Sequence, residues 1–169
     1  MRIQVFGGSG FVGSEFVRQT PDCIVNARDD YKVKTYDILY FISTVSNYNV
    51  KTDPFIDIDT NLTTLMKVLE QCRDSHLTFN FISSWFVYGD TEMPAKEDSY
   101  CNPNGFYSIT KRCAEQLVIS YCQTFNIKYR ILRLANVAGH GDKKASPQKN
   151  ALQHMINELK VGRDVNVYE

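Results

Sequence analysis

Tyr107 and Lys111 stand four residues apart in Tyr107-Ser108-Ile109-Thr110-Lys111, a spacing that puts a phenol and an ammonium on one face of a helix. A cation beside a phenol favours the phenolate, lowering a tyrosine from its usual pKa of about 10 toward the range of a general acid or base. Alone the pair is weak, because with ten tyrosines in 169 residues a solvated lysine near a packed tyrosine is common by chance. Upstream, Phe81-Ile82 runs into Ser83-Ser84 and then Trp85-Phe86-Val87-Tyr88-Gly89. Ser84 there is placed to hydrogen-bond a carbonyl or alkoxide oxygen and share its proton with a tyrosine, or simply to cap a strand end.

Four of the nine glycines lie in Gly7-Gly8-Ser9-Gly10-Phe11-Val12-Gly13, directly after an apolar run and at the start of a helical stretch that ends near Pro21. Glycines in that place allow a tight turn and a close approach of backbone to a pyrophosphate, which the free N–H groups of the helix start then bind. The alternative is an ordinary glycine-rich turn. The context predicts dinucleotide binding at Gly7, Ser9, Gly10, Phe11, Val12 and Gly13.

The elements that must position these groups alternate between apolar runs and amphipathic stretches, as βαβ units do. Strands are predicted over Ile3 to Phe6, Cys23 to Val25, Asp37 to Ile42, Leu77 to Ile82, Tyr129 to Leu134 and Val165 to Tyr168. Helical spacing links Leu62, Leu65, Met66, Leu69 and Cys72, and again Ala114, Leu117, Val118, Tyr121, Cys122 and Phe125. A last helix carries Ala151, Leu152, Met155, Ile156 and Leu159 and stops before Gly162, a candidate C-cap. The expected fold is α/β, a doubly wound parallel sheet of Rossmann type in one domain over residues 1–169, with Thr91 to Gly105 and His140 to Gln148 as loops.

Composition narrows the function classes. Nineteen Lys and Arg offset nineteen Asp and Glu, so no net field calls for nucleic acid or an anionic membrane. The five cysteines are scattered without a C-x-x-C pair and the three histidines lack a zinc spacing, so reduced thiols and no metal are expected. No apolar run approaches the roughly 18 residues of a membrane span, and the start is too short for a signal peptide. A cytoplasmic protein is expected.

In order along the chain come Gly7-x-x-Gly10-x-x-Gly13, Asp37-Ile-Leu-Tyr-Phe-Ile-Ser43-Thr44, Asn61 leading a helix, Ser83-Ser84-x-x-Val87-Tyr88-Gly89, Tyr107-x-x-x-Lys111 and Arg133-x-x-Asn136-Val137-x-Gly139. With that ordered set the chain resembles the extended short-chain dehydrogenase/reductase family, in its nucleotide-sugar epimerase/dehydratase branch. The resemblance implies Tyr107 as acid/base toward a sugar hydroxyl, Ser84 as its assistant and substrate contact, and Lys111 on the nicotinamide ribose. It implies a cofactor lined by Ser43, Thr44 and Asn61, and a nucleotide-sugar substrate met by Asn136 and Asn150. For Asn61 a helix-start cap, and for Asn150 a plain loop role, are equal alternatives. A homodimer built on the helix after Asn61 and the helix of Tyr107 is also implied, though their apolar residues suit packing on their own sheet equally well.

Several positions depart from the family pattern. Dehydratases of the branch carry an acidic pair where this chain has Trp85 and Phe86, so no 4,6-dehydration is expected. After the second strand the chain reads Val25-Asn26-Ala27-Arg28-Asp29-Asp30; Arg28 tilts the choice between NAD and NADP toward NADP, while Asp29 or Asp30 could hold a ribose 2′-OH in a slipped register. Between Asn26 and Asp37 the family fits a helix and a strand, so this half is expected to be abbreviated. The C-terminal substrate-binding portion is expected to be largely absent, the sequence being either a fragment or a shortened protein. These readings lead to an NAD(P)-dependent nucleotide-sugar epimerase or 4-keto reductase working by hydride transfer. The alternative is a cofactor-binding sensor or interaction module without turnover.

Overall fold

The computed structural model describes residues 2–34, 36–44, 49–139 and 151–165, which form two compact units, Met1–Ala135 and Asn136–Glu169. The first unit is built on five parallel strands, β1 (Ile3–Phe6), β2 (Ile24–Val25), β3 (Asp37–Tyr40), β4 (Thr78–Ser84) and β5 (Lys128–Leu134), in the spatial order β2-β1-β3-β4-β5. The Rossmann-like parallel sheet expected from the sequence is therefore present.

Side-chain alternation along the strands sorts the two faces. Phe6, Ile38, Tyr40, Phe79 and Phe81 form a buried layer with Leu65, Val68 and Leu69 of α3 (Thr64–Gln71) and Ala114, Val118 and Cys122 of α4 (Phe106–Thr124). Both amphipathic helices thus spend these residues on their own sheet. On the opposite face Val5 is buried and Phe16 of α1 (Phe11–Gln19) packs with its ring centroid 5.8 Å from that of Phe41.

The abbreviated half is visible after β2, where no helix or strand occurs among the described residues before β3. Gln4, at 0% exposure in β1, replaces the missing framework with its side chain. Its amide nitrogen donates to Asn26 Oδ1 (2.6 Å) and the Lys32 carbonyl (2.8 Å), and its oxygen accepts from the Lys34 amide (2.8 Å).

Two boundaries differ from expectation in ways that matter for the site. β4 continues through Ser83 and Ser84 instead of ending at Ile82, because both serines stay paired with β5 opposite Arg133 and Leu134. Asn61 does not start a helix. The helical path begins at α2 (Phe55–Ile58) and passes through a π-helical turn, Asp59–Thr63, into α3, so Asn61 sits mid-path and the capping alternative is corrected. Such turns occur often at functional sites.

Between β4 and α4 the chain makes an excursion closed at its base. Asn102 donates to the Tyr88 carbonyl (2.9 Å), and its own carbonyl accepts from the Asp90 amide (3.1 Å). Gly89 makes this closure possible: φ is 57°, and a Cβ there would fall 1.8 Å from the Asn102 oxygen.

The second unit contains α5 (Ala151–Lys160), ended as predicted at Gly162, whose amide donates to the Leu159 carbonyl (3.1 Å). Of the last predicted strand, Val165 is not in a strand and 166–168 lie outside the described residues.

Candidate active site

At the carboxyl end of β1 the chain turns through Gly7 with φ 82°, and a Cβ there would stand 2.9 Å from the Ile42 amide nitrogen. The exits of β1 and β3 are thus pressed together where the strand order reverses, the place at which open α/β sheets take ligands. Gly13 fits closer still, since a Cβ would come 2.3 Å from the Gly7 carbonyl oxygen. α1 begins after Gly10, with no side chain capping it and no acidic residue in its first turn. Its leading N–H groups and positive end are thereby left for an anion. Ser9 and Gly10 are exposed and Phe11 and Val12 half-buried beside them. Backbone donors, a helix N-terminus and a turn too tight for a Cβ at Gly7 or Gly13 together fit a dinucleotide diphosphate.

Across the strand ends, Ser84, Ser43 and Tyr107 come together. Ser84 Oγ accepts the Phe86 amide hydrogen (3.3 Å), starting the short turn Trp85–Val87, so the serine caps and faces the site at once. Burial pushes the Tyr107 phenol above its ordinary pKa, while hydrogen bonds with Ser84 and Ser43 pull it down and the charge of Asp57 pushes it up. The net direction is upward, which corrects the expectation that Lys111 lowers it. The physical reason is where the amine goes: Lys111 Nζ donates to the Ile82 carbonyl (2.8 Å) and lies 4.3 Å from the Phe81 ring centroid. Burial at 1% exposure pushes the amine itself down to about 7, against a smaller upward pull from Glu115.

Thr44 and Asn61 are brought together, and their side chains bond each other. Asn61 Oδ1 accepts the Thr44 amide hydrogen (3.0 Å), and Nδ2 donates to the hydroxyls of Thr44 (2.9 Å) and Thr110 (2.9 Å). The π-helical turn thus ties the exit of β3 to α4 one turn from Tyr107.

Sequence reasoning missed the charge beneath the site. Glu115, at 0% exposure, accepts from Ser83 Oγ (2.6 Å), from Arg112 (2.7 Å), and from Arg133 through both oxygens (3.0 and 2.9 Å). Burial alone would raise its pKa, yet hydrogen bonds from Arg133, Ser83 and Arg112 outweigh that and hold it below the ordinary carboxylate range. Arg133 also reaches the Glu97 carbonyl (3.2 Å) and lies over the Tyr88 ring. The spacing Lys111 to Glu115 was one available signal, since it places both on one face of α4.

Beyond β2, Asp29 accepts from the Tyr31 hydroxyl (3.1 Å) and Asp30 from the Lys32 amide (3.1 Å), while Arg28 is exposed in the turn between them and Asn26. Asn136 is exposed at the start of the second unit, and Asn150 lies outside the described residues.

A model of the NAD dependent epimerase/dehydratase family matches residues 24–169. The chain belongs to that family. Within it, the chain is 30% identical over 171 residues to a putative UDP-glucose 4-epimerase of Methanocaldococcus jannaschii, covering 81% of this chain and 56% of that protein. In fold it is similar to the UDP-N-acetylglucosamine 4-epimerase of Methanobrevibacter ruminantium, solved with UDP-N-acetylmuramic acid, at a TM-score of 0.87 and 22% identity over 99% of this chain and 65% of that one. It is also similar to RMD from Pseudomonas aeruginosa, solved with NADPH, at a TM-score of 0.76 and 23% identity over 86% and 57%. The chain therefore spans little more than half the length of its curated epimerase relative. No helix among the described residues is long and apolar enough to cross a membrane.

Proposed function

We propose that this chain is the cofactor-binding and proton-transfer part of an NAD(P)-dependent nucleotide-sugar epimerase or 4-keto reductase. The observation that carries the reading is the meeting of Ser43, Ser84 and Tyr107 at the strand ends, beside a glycine cradle shaped for a diphosphate. The cofactor, when bound, supplies the exchange of a hydride with a sugar carbon. Gly7, Ser9, Gly10, Phe11, Val12 and Gly13 hold the diphosphate through backbone donors. Ser84 donates to the substrate oxygen and Tyr107 gives it a proton or takes one. Lys111, one helical turn on, provides the amine for the ribose side. Asn136 and Asn150 belong to the nucleotide-sugar side of the reading.

Trp85 and Phe86 limit the chemistry. Their rings stack at 4.8 Å between centroids, and Phe86 meets the Tyr107 ring edge-on at 6.2 Å. Neither side chain titrates as an acid or a base, so water elimination across a sugar lacks its acid and base. Incubation of the full natural chain with cofactor and nucleotide sugars, followed by NMR of the products, tests the reading. Interconversion or reduction of the sugar is expected; a 4-keto-6-deoxy product would overturn the exclusion of dehydration. Cofactor binding with no turnover of any sugar nucleotide would favour the sensor reading.

For the cofactor, exposed Arg28 favours NADP, because Asp29 and Asp30 already accept bonds inside their own turn. A charge-assisted hydrogen bond contributes about 1.5–3 kcal/mol. Arg28→Ala is therefore expected to weaken NADP binding roughly ten- to a hundred-fold by calorimetric titration and to leave NAD nearly unchanged. Wild-type protein binding NAD tenfold tighter than NADP would reject this choice.

A further inference from the structure

The segment Phe55-Ile56-Asp57-Ile58 is packed inside out. Phe55 is 67% exposed, Ile56 41% and Ile58 38%, whereas Asp57 is 0% exposed. A helix ordinarily turns its apolar residues inward and its carboxylates to water. A buried carboxylate is costly unless both oxygens are partnered. In Asp57, Oδ1 accepts from the Thr44 hydroxyl and from the Asn49 amide (3.1 Å), but Oδ2 is buried without a hydrogen-bond partner among the described residues. Glu115, the other fully buried carboxylate of the site, has arginines on both oxygens. A sequence that breaks its own pattern at one polar residue marks a functional position more often than a fault.

The bonds around Asp57 lead to the reacting group. Thr44, which it holds, bonds Asn61; Asn61 bonds Thr110; and the Thr110 hydroxyl donates to the Tyr107 carbonyl (3.0 Å). Ser43, the residue before Thr44, bonds the Tyr107 phenol, on which the charge of Asp57 also acts. We propose that Asp57 is a positioning residue for Tyr107: it fixes Thr44, and with it Ser43, against the phenol, and its buried charge disfavours the phenolate. The catalytic meaning rests on the proposed role of Tyr107, whereas the effect on the phenol does not. Around Tyr107 the charged groups are Asp57 from α2 and, on its own helix, Lys111 turned to the Ile82 carbonyl and Glu115 paired with Arg112 and Arg133; the segment leaving β3 and the end of β4 present Ser43 and Ser84. The turn Asn49–Lys51, whose Asn49 side chain donates to Asp57, also carries Lys51.

The test is a spectrophotometric titration of the Tyr107 phenol, read as wild type minus Tyr107→Phe, in the full natural chain and in Asp57→Asn and Asp57→Leu. Both variants remove the charge, and an apolar group in place of a poorly compensated buried charge is often tolerated. In folded Asp57→Asn, whose side-chain oxygen still accepts from Thr44, the phenol is expected to ionise at lower pH than in wild type; in folded Asp57→Leu, which also releases Thr44 and Ser43, it is expected to ionise at higher pH than in Asp57→Asn. Where turnover is measurable, the limb of the pH–rate profile that follows Tyr107 should move with it. An unchanged phenol titration in folded Asp57→Asn overturns the proposal, and so does the failure of both variants to fold, which would make Asp57 a structural group. A shifted phenol in a protein without turnover would support this proposal while sinking the proposed function.

Discussion

Tyr107→Phe is expected to lower kcat roughly a hundred- to ten-thousand-fold, the usual worth of a positioned proton donor. Dinucleotide affinity should stay near wild type, because the diphosphate cradle is made by the turn after β1 and the start of α1, away from α4. The ring itself is 9% exposed and packs edge-on to Phe86, contacts that phenylalanine keeps. What is lost is the oxygen shared with Ser84 and Ser43, a net stability cost of about 1 kcal/mol. Steady-state kinetics alongside a thermal melt check this: a large loss of kcat with a Tm within a few degrees of wild type is the expected pair of results. Unaltered turnover would remove Tyr107 from the chemistry.

The second large effect falls on stability. Glu115→Ala removes the partner of two arginines and a serine at a fully buried position. Arg112 is half-exposed and can turn toward water, but Arg133, with its side chain 16% exposed, is left charged in the interior. Breaking a buried pair from one side costs about 3–5 kcal/mol, so Tm should fall by roughly 6–20 °C for a chain of this size. Removing both charges with Glu115→Leu and Arg133→Met should recover much of that loss, because a buried pair replaced by apolar groups is often neutral. The same site sets an acid limit. The folded carboxylate lies below its unfolded pKa, so its contribution is complete above the unfolded value and disappears as pH falls through the folded one. Melts in acid should therefore show a steeper decline for wild type than for the double variant.

Much of the site could be read from spacing that stays within one element. Tyr107 and Lys111 sit on one helix, and the glycine turn needs only β1 and α1, so both were legible. Even so, spacing misjudged the electrostatics: the Lys111 amine turns to a strand carbonyl, a partner that no helical period contains. Glu115 was half legible, since its partners come from β4, β5 and its own helix. Asp57 was not legible at all. No helix is predicted over 55–58, and the bonds to Thr44 and Asn49 account for an acid that turns inward while Phe55, Ile56 and Ile58 stay out. In the fold, Gln4 reads as a polar interruption of a strand, whereas it is the strut that lets a loop stand in for a helix and a strand.

The closed base at Gly89 and Asn102 separates two inheritances in this chain. Ser84 on one side and Tyr107 on the other are fixed by β4, α4 and the bonds across that neck. Residues 91–101 therefore hang from a ring already shut, tied to the charges beneath the site where the Glu97 carbonyl accepts from Arg133. Loop closure costs little more as a loop grows. Such an arrangement lets a lineage rewrite the excursion while copying the hydroxyls unchanged, and lets an engineer graft a different one at the same neck.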